Sequence, residues 1–159
     1  MDELDDAPVK LSKEQIAAMA LHKQPTLFNG VYTVERNGQH RTFKVTRQPD
    51  DAEFAPGQQL IELLIGQDNT TNYKSFGFVS NRGIYVFRKL SEKNKEWKAY
   101  ADLVWTMATQ PESNKYINLG YKLSIARCCY RCNRLLTTPE SIRLGIGPVC
   151  AVKMYEIPF

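Results

Sequence analysis

Residues 31–46, Val31-Tyr32-Thr33-Val34-Glu35-Arg36-Asn37-Gly38-Gln39-His40-Arg41-Thr42-Phe43-Lys44-Val45-Thr46, decide the fold class. β-Branched and aromatic residues recur on both sides of Asn37-Gly38, and Asn-Gly accommodates the positive φ angles of a two-residue hairpin turn. Two antiparallel strands are therefore expected here. Further strand signals follow at Leu60-Ile61-Glu62-Leu63-Leu64-Ile65, at Ser75-Phe76-Gly77-Phe78-Val79 and at Ile84-Tyr85-Val86-Phe87, punctuated by Pro56-Gly57 and Asn81-Arg82-Gly83. Five short strands linked mainly by hairpins predict a small curved antiparallel sheet.

Helix signals flank these strands. Upstream, Ser12-Lys13-Glu14-Gln15 fits a capping box, Ile16, Met19 and Ala20 keep helical spacing, and Pro25 stops the run. Downstream, Trp97, Tyr100, Ala101, Val104, Trp105 and Ala108 form one helical stripe, with Ser91 as its expected cap and Pro111 as its stop. That stripe is expected to cover one face of the sheet. Residues 111–120 read as a polar linker.

Apolar residues make up 43% of the 159 residues and charged residues 24%, which excludes a globally disordered chain. No apolar run approaches the ~18 residues of a spanning helix, so no membrane partner is expected. The start, Met1-Asp2-Glu3-Leu4-Asp5-Asp6, lacks the basic and apolar stretches of a secretory signal. A cytoplasmic location, in a bacterium or an infected host cell, is the expectation.

Charge is divided unevenly. Residues 1–114 hold 14 Lys/Arg against 15 Asp/Glu, a net −1, whereas residues 115–159 hold 7 against 2, a net +5. The basic segment also contains all four cysteines, at 128, 129, 132 and 150. Clustered cysteines in a cytoplasmic chain favour a metal over disulfides. Cys129-Tyr130-Arg131-Cys132 has the two-residue gap that lets two thiolates face one ion across a tight turn, and Zn2+ suits tetrahedral sulfur donors. Asn133 follows where such a turn often needs positive φ, which asparagine tolerates better than other non-glycine residues. Gly145-Ile146-Gly147-Pro148-Val149 can swing Cys150 back towards the ion. The candidate zinc ligands are Cys128, Cys129, Cys132 and Cys150. Cys128 is the least secure of them, with His40, His22 or a partner molecule as competitors for the fourth position and a buried apolar role as the alternative.

Residues 129–150 resemble a small cysteine-rich domain family of unknown function found in bacterial and phage proteins, with the signature C-x2-C-G-R-x-L-T-x-P-x-S-x4-G-x-G-P-x-C. The chain departs from it at Asn133, where the family has glycine, and in the register between Ser141 and Gly145. The resemblance implies a zinc-binding module of the kind attached to nucleic-acid-processing proteins or carried by small phage proteins.

The expected architecture is thus α+β, a small curved antiparallel sheet packed by one long helix, with a C-terminal zinc-knuckle module. Its divisions are a flexible acidic tail at 1–10, an α+β domain at 11–114 and the zinc module at 115–159. The expected function is that of a non-enzymatic, zinc-stabilised nucleic-acid-binding protein encoded by a phage or mobile element. Lys122, Arg127, Arg131, Arg134 and Arg143 are its candidate phosphate contacts. The alternative is a protein-binding inhibitor or adaptor, such as a phage protein that blocks a host enzyme or defence system. Catalysis finds little support, because no nucleophile elbow, phosphate-cradling glycine loop or HExxH pair is present; a catalytic or intermolecular fourth position on the zinc stays open only if three thiolates bind it. Lys74-Ser75-Phe76-Gly77-Phe78-Val79 looks like the base-stacking strand of RNA-recognition domains, with Phe76 and Phe78 alternating to one face, but the order of elements does not fit that fold. Residues 67–72 read as a polar turn.

Overall fold

The computed structural model describes residues 12, 25–67, 72–129, 132–137 and 139–144. The acidic tail, the capping-box helix and the Asp68–Thr71 part of the polar turn lie outside the described residues. In chain order the elements are β1 (Gly30–Arg36), β2 (Gln39–Arg47), β3 (Gln59–Leu64), β4 (Tyr73–Val79), β5 (Ile84–Val86), α1 (Arg88–Lys93), α2 (Glu96–Thr109), α3 (Lys115–Asn118), β6 (Lys122–Arg127) and α4 (Pro139–Leu144). The fold is α+β, with an open six-stranded antiparallel sheet in the order β5-β4-β3-β2-β1-β6.

The β1–β2 turn forms at Asn37 and Gly38, whose φ angles are 53° and 79°. The two strands then pair from Arg36 opposite Gln39 to Gly30 opposite Val45. This register places Tyr32, Val34, Phe43 and Val45 on one face, where they join Ile61, Leu63 and Phe76 from β3 and β4. Ala101, Leu103, Val104 and Met107 of α2 belong to the same buried cluster. The chain leaves the sheet at β5, one edge, and re-enters at β6, the opposite edge. The helices between them must therefore cross a face. Phe43 meets Tyr100 edge-on at 5.8 Å, and Phe76 lies 5.1 Å from Trp97.

Three local features differ from the expectations. First, Ser91 lies inside α1, and its hydroxyl donates to the Arg88 carbonyl instead of capping α2. An extended residue, Asn94, separates α1 from α2, and its side-chain oxygen accepts from the Glu96 amide. Second, the β3–β4 register shifts between Ile61 and Glu62, which pair with Gly77 and Ser75. Phe76 is the extra residue, and a bulge breaks the two-residue alternation of a strand. Phe76 is consequently fully buried against Trp97, whereas Phe78 pairs with Leu60 and meets Phe54 and Phe87 instead. Third, part of the linker is helical: Asn114 caps α3 by accepting from the amides of Tyr116 and Ile117. Directly after it, β6 pairs with β1 from Lys122 opposite Glu35 to Arg127 opposite Gly30. The β1–β6 ladder thus crosses the division drawn at residue 114. Among the described residues, no helix is long and apolar enough to cross a membrane.

Candidate metal centre

β6 delivers the cysteine segment to the sheet edge. Gly30 permits the close approach there, because a Cβ at this position would lie 2.5 Å from the Ala126 carbonyl oxygen. Beyond β6 the Cys128 amide donates to the Asn29 carbonyl at 2.7 Å, extending the ladder by one step. The chain then doubles back, with Cys128 bridging Leu135 and the Leu136 amide donating to the Arg127 carbonyl at 3.0 Å. Inside this reversal the Cys129 amide donates to the Arg134 carbonyl at 2.7 Å, and the Asn133 amide donates to the Cys129 carbonyl at 2.9 Å. Cys129 and Cys132 therefore belong to one tight turn. Asn133 closes it in the left-handed region, at φ 63°.

The Asn133 side chain also fastens the turn to the sheet. Its Nδ2 donates to the Arg47 carbonyl at 3.2 Å, and its Oδ1 accepts from the Arg47 amide at 3.1 Å. The amide group thereby completes hydrogen bonds at the end of β2 as a neighbouring strand would. Oδ1 also accepts from Asn29 Nδ2 at 2.7 Å. Asn29 is 1% exposed, and the same Nδ2 reaches the Cys129 carbonyl at 3.2 Å. Gln59 Nε2 donates to Asn29 Oδ1 and to the Leu27 carbonyl, both at 2.8 Å. A buried polar network of this kind fixes one arrangement, because each group left unpaired is expensive to bury. Asn29, Arg47 and Gln59 were not evident in the sequence: nothing local marks an asparagine or arginine that bonds to a distant turn, or a glutamine that braces that asparagine.

The cysteines occupy distinct environments. Cys128 and Cys129 are buried, and Cys132 is exposed. Burial pushes the Cys128 thiol up, while the Lys44 ammonium pulls it the other way. Cys150 lies outside the described residues. Among those residues, no group of three or more His, Cys, Asp or Glu is arranged to hold a metal. Cys128, Cys129 and Cys132 are all described and are not gathered into such a group; Cys129 and Cys132 share one turn, and two thiols at that spacing would suit a tetrahedral sulfur site. His40 does not suit as a ligand. It pairs with Glu35, five strand residues beyond Gly30, roughly 17 Å from the cysteine end of β1. His22 lies outside the described residues.

Among the candidate phosphate contacts, Lys122 and Arg134 are exposed. Arg127 is already engaged: its guanidinium lies 3.7 Å from the Phe28 ring centroid, and its Nη1 donates to the Ile142 carbonyl at 2.7 Å. It ties α4 to the sheet. Arg143 stands on α4, but its side chain and the whole of Arg131 lie outside the described parts.

A family model described as a family of unknown function (DUF6011) matches residues 125–155. This match runs from the end of β6 through the turn and α4, the same stretch that carries the cysteines. No curated protein and no solved structure matches the chain.

Proposed function

We propose that the chain is a zinc-stabilised, non-enzymatic nucleic-acid-binding protein. In this reading Cys129, Cys132 and Cys150 hold one Zn2+ as a knuckle and Cys128 supplies the fourth thiolate. The basic residues around the knuckle contact phosphates. The observation that carries the reading is the Cys129–Arg134 reversal, which brings two cysteines into one turn and leaves Arg134 exposed beside them. The excess of positive charge in residues 115–159 supports it, because phosphate contacts by Lys and Arg supply affinity independent of sequence. Four protein ligands would leave the zinc no open position for water, so its role would be structural.

The test is the salt dependence of binding to duplex DNA and to single-stranded RNA, measured by fluorescence anisotropy. Replacement of Arg131, Arg134 and Arg143 by Gln should lower affinity at moderate salt and flatten the salt slope by about one unit for each phosphate deprived of its arginine. Arg127 is left intact because its side chain joins α4 to the sheet. A parent protein without salt-dependent binding to either probe would sink this reading and leave a protein target in its place.

A further inference from the structure

A cavity of about 330 Å³ opens at the far end of the sheet from the cysteines, between the β1–β2 hairpin and α2. Its wall carries Arg36 and Arg41 from the paired strands, His40 and Gln39 beside them, Tyr100 from α2, and Tyr121 from the connection just before β6. Val34 and Leu103 supply its apolar part. Among the described residues, no carboxylate lines it. Arg36 pairs with Gln39 and Arg41 with Val34, so both arginines rise from the same face of the hairpin, on diagonally neighbouring positions.

Arg36 is held in place. Its guanidinium lies 4.9 Å from the Tyr121 ring centroid, and Nη1 donates to the Tyr121 hydroxyl at 3.2 Å. Its Nε is buried and, among the described residues, has no hydrogen-bond partner. A buried donor of this kind calls for an acceptor, and on a cationic group that acceptor is best an anion. Neither Arg36 nor Arg41 makes an ion pair among the described residues. Two arginines without a carboxylate partner there, beside two tyrosines in a cavity at the lower end of the small-ligand range, describe a receptor for a planar or tetrahedral oxyanion.

We infer that this cavity binds a phosphate monoester through Arg36 and Arg41. The phosphate can belong to a free nucleotide or to the 5′ end of a nucleic-acid strand, and both sources present the same dianionic head. The site is independent of the cysteine turn, so it stands whether or not zinc binds there.

Isothermal titration of the full chain with AMP, with adenosine, and with a short oligonucleotide carrying or lacking a 5′-phosphate tests the inference. Saturable binding of AMP but not of adenosine, or tighter binding of the 5′-phosphorylated oligonucleotide than of its unphosphorylated counterpart, is expected, and the tighter of the two phosphate-bearing probes names the source; any binding of the unphosphorylated strand reports the basic cysteine segment and is subtracted. Arg41→Gln alters an exposed side chain and should keep the fold, which its thermal denaturation checks. It should weaken binding by about tenfold or more, as expected for a charge-assisted hydrogen bond. Arg36→Gln should do the same. No difference between AMP and adenosine together with no difference between the phosphorylated and unphosphorylated oligonucleotides, or an unchanged phosphate-dependent affinity in a folded Arg41→Gln protein, would overturn the assignment.

Discussion

The side chain of Asn29 donates to Asn133 Oδ1 at 2.7 Å, joining residues 104 positions apart in the chain. One partner precedes the first strand of the sheet and the other closes the cysteine turn. Asn133 combines two properties that a glycine there would separate. It accepts the left-handed backbone that the turn demands, and its amide bonds to Arg47 and Asn29. An asparagine at this position therefore has a physical use, which is to dock the turn on the end of β2.

Asn133→Gly should keep the backbone conformation and lose the docking. It removes the bonds that the Asn133 side chain makes to the Arg47 amide and carbonyl and to Asn29 Nδ2, at about 1–3 kcal/mol of stability. Asn133→Ala should cost about 1–2 kcal/mol more, because alanine is strained at positive φ. Urea denaturation of the three proteins checks the order. Equal stability of the parent and the glycine variant would show that the side-chain bonds contribute nothing.

The bulge in β4 makes the two phenylalanines unequal. Phe76→Ala empties a fully buried site beneath Trp97 and should destabilise by about 3–5 kcal/mol. Phe78→Ala should cost less, since its ring is only partly buried and its neighbour Phe54 is 52% exposed. Equilibrium denaturation measures both, and the reverse order would contradict the β3–β4 register.

A pH-dependent contact ties α2 to α3. Asp102 Oδ2 accepts from Lys115 Nζ at 2.8 Å and from the Tyr116 hydroxyl. The bond from Lys115, then that from Tyr116, holds the Asp102 carboxyl below the usual carboxylate range. Burial, then the Asp102 bond, raises the Tyr116 phenol. Because the Asp102 pKa is lower in the folded chain than in the unfolded one, the contact contributes its full stability above about pH 4, the unfolded value. That contribution is lost as pH falls through the folded value. Asp102 is 48% exposed and Lys115 65%, so solvent screening should keep the effect under about 1 kcal/mol. Asp102→Asn should therefore be slightly less stable than the parent at pH 7 and indistinguishable from it at pH 2. A difference that grows towards low pH would reverse the sign and refute the assignment.

What could be read from the sequence was local. Asn37-Gly38 marked the hairpin because the turn's φ angles restrict residue choice at those positions, and the Trp97 stripe marked α2 because burial of one face imposes a period on the sequence. The two-residue gap from Cys129 to Cys132 marked the turn. The remaining features depend on distant chain. β6 was missed because Lys122-Leu123-Ser124-Ile125-Ala126-Arg127 is an edge strand with mostly exposed positions, so its apolar signal is weak. The bulge at Phe76 is a register choice between β3 and β4, and it leaves no mark in β4 alone. The Arg36 and Arg41 cavity was equally invisible, since only the pairing of β1 with β2 and the passage of α2 past the hairpin bring its walls together.

The central claim is that the cysteine turn is half of a zinc site completed by Cys150. Metal analysis of protein purified without added zinc, paired with thiol titration of the same sample, tests it most directly. The account predicts one zinc per chain, with thiols that react only after the metal is chelated. A zinc content near zero, with all four cysteines titrating freely in the native protein, would contradict it.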